Sequence, residues 1–214
     1  MAKLYFRYGT VGSAKTLNLL AISHAYEVQG KKAYLLKPKM DTRFGESNIR
    51  SRVGLESTAD MLVHDDMSIM DELPAGIDCV LVDEVQFLSK EKIEELRAIA
   101  SIKSIPVICY GLRADFRTHL FEGSKRLFEL ADSIDEVKTT CFFCTKKAVY
   151  NLRLQDGIPT LSGSSIELGL DDKYVPCCSR CYENKTASCH SEEYFKSGPK
   201  EISDLQFEVS SSPQ

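Results

Sequence analysis

Gly9-Thr-Val-Gly-Ser-Ala-Lys15-Thr16 sets two glycines, a lysine and a hydroxyl side chain within one short segment. Backbone N–H groups of such a loop, opening into a helix N-terminus, form a cradle for phosphate oxygens. Gly9, Thr10, Val11, Gly12, Ser13, Ala14, Lys15 and Thr16 are therefore candidate nucleotide-binding residues, with Lys15 directed to the β- and γ-phosphates and the Thr16 hydroxyl to Mg²⁺. Ala14 occupies the second glycine position of the GxxxxGK[ST] pattern, where a left-handed or closely approached backbone is usual. About 70 residues downstream, Cys79-Val-Leu-Val-Asp83-Glu84 is an apolar run ending in two carboxylates. Asp83 is the candidate Mg²⁺ ligand, and Glu84 beside it is the candidate general base for deprotonating a hydroxyl or water near a γ-phosphate. Each motif alone also reads as an ordinary turn or a polar strand end. Both in this order, within one strand–helix pattern, point to a bound nucleotide.

A second set of chemistry-bearing residues lies near the C-terminus. Of the eight cysteines, Cys141-Phe-Phe-Cys144 and Cys178-Ser-Arg-Cys181 form two CxxC pairs separated by 33 residues. Four thiolates on two tight knuckles can converge tetrahedrally on Zn²⁺, and a site closed by four protein ligands is structural. Cys177 offers an alternative ligand at x3 spacing; Cys178 matches the x2 spacing of the first pair. Cys79 and Cys109 lie in apolar runs and are expected in the core.

The elements that must position these residues follow from the apolar pattern. Leu4–Tyr8, Ala33–Leu36, Cys79–Val82 and Ile105–Tyr110 read as strands, and Lys15–Val28 and Lys90–Ala100 as helices, so strands and helices alternate as in a parallel sheet covered on both faces. Asp41–Gly76 has few periodic apolar positions, and part of it is expected to be a mobile loop. After Asp135 the texture changes to short β-like runs at Val137–Thr140, Ala148–Leu154 and Tyr174–Pro176. The expected domains are 1–136, a P-loop α/β domain; 137–196, a zinc-binding small domain; and 197–214, a disordered tail.

With 27 Lys+Arg against 31 Asp+Glu the formal charge is −4, so bulk attraction to nucleic acid or an anionic membrane is not expected. No apolar stretch approaches the roughly 18 residues of a membrane span, and no leader pattern opens the chain. Paired cysteines in such a chain suggest a metal in a reducing cytoplasm.

The phosphate loop, Asp83-Glu-Val-Gln-Phe87, Tyr110-Gly-Leu-Arg-Ala-Asp-Phe116 and the two CxxC pairs together resemble the cellular, zinc-containing (type II) thymidine kinases, from about Ala2 to Tyr182. The resemblance implies a RecA-like P-loop domain with a mainly parallel central sheet, a small zinc-ribbon-like domain carrying a lasso loop, and assembly as a homotetramer or dimer. It implies ATP as donor, Mg²⁺, structural Zn²⁺, and thymidine or deoxyuridine as acceptor, in deoxynucleotide salvage.

Carried over by position, it gives Gly9–Thr16 to the triphosphate and Asp83, Glu84, Val85 and Gln86 to the reaction centre, with Glu84 taking the proton of the 5′-hydroxyl. Arg43 matches a family arginine near the phosphates, and Phe87, Phe116 and Phe121 match aromatic positions around the base. Ser165, Ile166, Glu167, Leu168 and Gly169 match the lasso, whose backbone hydrogen-bonds the pyrimidine edge, while Tyr174 helps to hold the sugar. Ser165-Ile-Glu-Leu departs from the valine-rich, double-glycine form common in the family.

The alternative is a nucleic-acid-associated P-loop ATPase with a zinc ribbon. Lys138, Lys146, Lys147, Arg153 and Arg180 would supply its basic face, but Asp156, Glu167, Asp171 and Asp172 mix the charge.

Overall fold

A computed structural model describes residues 1–43, 45–164 and 174–197. Strand β1 (Leu4–Tyr8) leads through the phosphate loop into α1 (Lys15–Val28), and β2 (Ala33–Pro38) follows. Next come a hairpin of β3 (Asn48–Arg50) and β4 (Glu56–Thr58), then β5 (Met61–Val63), a short α2 (Ile69–Glu72) and β6 (Cys79–Val82). A 3₁₀ turn at Val85–Phe87, α3 (Lys90–Ile102), β7 (Val107–Gly111), α4 (Glu122–Leu130) and β8 (Ser133–Glu136) complete this part.

The six strands β5-β2-β6-β7-β1-β8 form one sheet in which every pairing is parallel. Such a sheet is buried on both faces, which explains the unbroken apolar runs of its central strands. In β6, Val80 and Val82 point into a core with Leu96 and Ile99 of α3 and Leu127 of α4. Cys79 and Leu81 point the other way, against Leu19 and Leu20 of α1. Cys79 and Cys109 are both fully buried, as expected.

Because all six strands run the same way, their carboxyl ends share one edge, and the loops after β1, β2, β6 and β7 meet there. A crevice at that edge is where ligands of open α/β sheets bind.

Two segments differ from the expectation. Residues 41–76 hold β3, β4, β5 and α2, four short elements whose three- or four-residue lengths leave no apolar period to detect. Val137–Thr140 is not a sheet strand: Thr140 makes one antiparallel bridge to Lys147, while the Val137 amide donates to the Tyr8 carbonyl at 2.7 Å.

A second, three-stranded antiparallel sheet, ordered β10 (Ile158–Pro159), β9 (Tyr150–Gln155), β11 (Tyr174–Cys177), is followed by α5 (Ser179–Ser197). Leu152, Cys177 and Tyr182 form its buried centre. Among the described residues no helix is long and apolar enough to cross a membrane.

Candidate active site and metal centre

The phosphate loop is shaped by tight backbone packing. A Cβ on Gly9 would lie 2.5 Å from the Val137 carbonyl oxygen, so only glycine lets the loop leave β1 along this path. Ala14 adopts φ 63°, ψ 27°, the left-handed geometry that the pattern's glycine normally supplies, and directly precedes α1. For a residue with a Cβ this conformation costs about 1–2 kcal/mol, and here it opens the helix N-terminus toward the crevice.

Lys15 is buried, with Nζ donating to the Thr10 carbonyl at 2.8 Å. Burial lowers its pKa more than Glu84 and Asp83 raise it. Thr10 Oγ1 and Ser13 Oγ are buried without a hydrogen-bond partner. A loop carrying a buried ammonium and unsatisfied hydroxyls is suited to an anion.

Asp83 and Glu84 follow β6 as the sequence predicts. The Thr16 hydroxyl donates to the Asp83 carboxylate, at 3.1 Å to Oδ2 and 3.3 Å to Oδ1. This places the two candidate Mg²⁺ ligands side by side, one from α1 and one from the end of β6. Burial and the neighbouring Glu84 charge push the Asp83 carboxyl up to about 7.

Glu84 takes a left-handed backbone, φ 49° and ψ 37°. Its Oε1 is 2.7 Å from Arg43 Nη2, and its Oε2 accepts from Gln86 Nε2 at 2.5 Å. Burial opposes its ionisation, yet the Arg43 and Lys15 charges hold the carboxyl down to about 2. Glu84 in turn raises the pKa of Arg43.

The supports of these groups run into the sheet. Arg43 Nε donates to Asp41 Oδ1 at 2.7 Å, and Asp41 Oδ2 is 3.6 Å from the buried Lys37 Nζ. Gln86 Oε1 accepts the Leu112 amide at 2.9 Å, and a Cβ on Gly111 would lie 2.5 Å from that Oε1. Glycine at the end of β7 is therefore what admits Gln86. Val85, counted above with the reaction centre, buries its side chain in the main core.

The aromatic candidates fall into two pairs. Phe87 and Phe121 meet edge to face with centroids 5.9 Å apart, and Phe116 lies 6.2 Å from Tyr174. Phe116 is fully buried, with the Arg117 and Arg153 guanidiniums each 5.1 Å from its ring centre. Ser165, Ile166, Glu167, Leu168 and Gly169 lie outside the described residues.

The four sulfurs of Cys141, Cys144, Cys178 and Cys181 lie within 4.8 Å of one another. The Phe143 amide donates to Cys141 Sγ at 3.4 Å, the N–H to sulfur contact of a metal knuckle. Four cysteines at this separation fit a tetrahedral Zn²⁺. Cys177 is buried against Cys141 but is not one of the four mutually close sulfurs, so the x2 pairing is the one that converges.

The family model described as thymidine kinase matches residues 2–182 of the chain. The chain belongs to the thymidine kinase family. It is 42% identical over 185 residues to the thymidine kinase of Lactococcus lactis subsp. lactis, covering 85% of this chain and 97% of that protein. It is also 42% identical to the thymidine kinases of Streptococcus agalactiae serotype Ia and Streptococcus pyogenes serotype M3, over 187 and 190 residues, in each case covering 86% of this chain and 98% of the relative.

Gln86, already marked by the Asp83-Glu-Val-Gln-Phe87 run, anchors Glu84 to the end of β7. Two further residues at the site carry no motif that a single sequence would reveal. Asn151 of β9 ties the second sheet to the loops after β1 and β7, its Oδ1 accepting the Val11 amide at 2.9 Å and its Nδ2 donating to the Ala114 carbonyl at 3.1 Å. Arg153 Nη1 donates to the Ser162 carbonyl at 3.0 Å, fixing the near end of the long insert.

Proposed function

We propose that the protein transfers the γ-phosphoryl group of ATP to the 5′-hydroxyl of thymidine, yielding thymidine 5′-monophosphate and ADP. Family membership supports the reaction class. The observation that carries the assignment of roles is the convergence of Lys15, Thr16, Asp83 and Glu84 at the carboxyl edge of the sheet.

In this reading the loop 9–16 holds the triphosphate, with Lys15 leaving the Thr10 carbonyl for phosphate oxygens. Thr16 and Asp83 would hold Mg²⁺. The ion, when bound, neutralises charge on the phosphates and helps to hold them in line for displacement.

Glu84 accepts the proton of the 5′-hydroxyl as that oxygen bonds to the γ-phosphorus and the bond to the ADP oxygen breaks. Both Glu84 oxygens are engaged, by Arg43 and by Gln86. Arg43 must therefore exchange Glu84 for phosphate, which frees one carboxylate oxygen and brings positive charge to the transferring group.

Phe116 and Tyr174, with Phe87 and Phe121, would enclose the base and sugar, and the segment 165–169 would read the pyrimidine edge through its backbone. Zn²⁺ on the four cysteines would tie the two ends of the intervening insert together, a folding role with no part in the chemistry. Assembly into a tetramer or dimer, and a cytoplasmic setting, belong to the same proposal.

The test is whether ADP release depends on the acceptor. Thymidine should start turnover from a near-zero background, and single-stranded DNA should have no effect. Turnover that DNA stimulates and thymidine does not would support the ribbon-ATPase alternative instead.

A further inference from the structure

The β3–β4 hairpin overhangs the phosphate loop, and no motif assigned it a role. Arg50, Ser51, Arg52 and Val53 line the same cleft as Gly12, Lys15, Thr16, Arg43 and Glu84. A methyl group built on Gly12 would lie 3.5 Å from Arg52 Nη1, so the guanidinium sits directly across the loop from its glycine. Its charge is close enough to Lys15 to oppose protonation there.

The hairpin is held firmly enough to place that charge. Ile49 is 2% exposed and packs with Leu19 and Leu20 of α1. The Asn48 carbonyl accepts from the buried Lys37 Nζ at 2.9 Å, the same lysine that flanks Asp41, so one side chain supports both the hairpin and the residue holding Arg43. At the tip, Ser51 and Leu55 close the turn through three hydrogen bonds of 2.8 to 3.0 Å. Arg52 projects from this closed turn and is exposed to solvent.

Lys15, Arg43, Arg50 and Arg52 line one cleft with Glu84; Asp83 and Glu84 act on Lys15, and Asp41 and Glu84 hold Arg43. Four cations gathered around one loop raise the local positive potential that a phosphate chain would meet. Arg50 is turned partly aside, with Nε 3.9 Å from Glu56. Arg52 is the one set over the loop.

We propose that Arg52 is a further phosphate-contacting residue, gripping the phosphate chain of the nucleotide from the side opposite α1. The proposal rests on the reading of loop 9–16 as the nucleotide site. Guanidinium suits the role through its fork of donors, and an exposed charge-assisted contact of this kind is worth about tenfold in affinity.

Calorimetric titration of ATP into wild type, Arg52→Ala and Arg52→Lys, together with steady-state kinetics, tests it. The expected result is an ATP Kd about tenfold higher for Arg52→Ala and about threefold for Arg52→Lys, with the thymidine KM and Tm unchanged. The wild-type ATP affinity should also fall more steeply with salt than that of Arg52→Ala, since one ionic contact is lost. An Arg52→Ala Kd within twofold of wild type overturns the proposal. So does a loss shared equally by ATP and thymidine and accompanied by a lower Tm, which would mark Arg52 as merely structural. If wild type itself bound no ATP, the reading of the loop would fail and the proposal with it, whereas failure at Arg52 alone leaves that reading intact.

Discussion

Arg43 Nη2 lies 2.7 Å from Glu84 Oε1, while the same guanidinium is held through Nε by Asp41 at 2.7 Å. The residue proposed to accept a proton is thus engaged by the residue proposed to meet the phosphate.

Glu84→Gln keeps the shape and the Gln86 contact but removes the proton acceptor. The expected result is a kcat lower by about 10²–10⁴-fold with the ATP Kd within a few-fold of wild type, read by steady-state kinetics and calorimetry. A near-normal kcat would show that another group takes the proton.

Arg43→Ala frees Glu84 from its ion pair but leaves the transferring group without its cation. If Arg43 serves the phosphate, kcat falls by about 10²–10³-fold. If its only part is to hold Glu84, kcat rises or is unchanged. Kinetics at saturating ATP and thymidine distinguish the two.

The zinc assignment predicts one metal per chain by atomic absorption, lost in Cys178→Ser. Cys177→Ser should retain the metal, since its sulfur touches Cys141 but is not one of the four mutually close ones, and should lower stability by about 1–3 kcal/mol through a buried hydroxyl. Chelation of wild type should abolish thymidine use and lower Tm, because the knuckles fix the ends of the insert.

Ala14→Gly relieves the left-handed strain at φ 63°. The relief of about 1–2 kcal/mol is partly offset by the greater freedom of glycine in the unfolded chain. The expected Tm is unchanged or up by a few degrees with ATP turnover retained, and a marked loss of stability would contradict the backbone reading of this position.

How much could be read from the residues depended on length and period. The run from β1 through the loop into α1, and β6 ending in Asp83-Glu84, were legible because buried parallel strands are unbroken apolar runs and the loop's chemistry fixes its spacing. The CxxC pairs were legible for the same reason, since a metal dictates the interval. The β3–β4 hairpin was not, because its strands are three residues long, mostly exposed, and anchored by the single buried Ile49. Nor were the partnerships of Arg43, Gln86 and Asn151, which join residues from different loops at the sheet edge. Val137–Thr140 reads as a strand because Val137, Thr139 and Thr140 are β-branched, a composition shared here by the segment that joins β8 to the second sheet.

The central claim is that the site phosphorylates the 5′-hydroxyl of thymidine. Incubation with ATP and Mg²⁺ against a panel of nucleosides, followed by identification of each product by mass spectrometry and phosphorus NMR, tests it most directly. The account predicts thymidine 5′-monophosphate formed in step with ADP, with deoxyuridine as the next best acceptor and purine nucleosides inert. ADP released with no phosphorylated nucleoside, or a purine nucleotide as the main product, would contradict it.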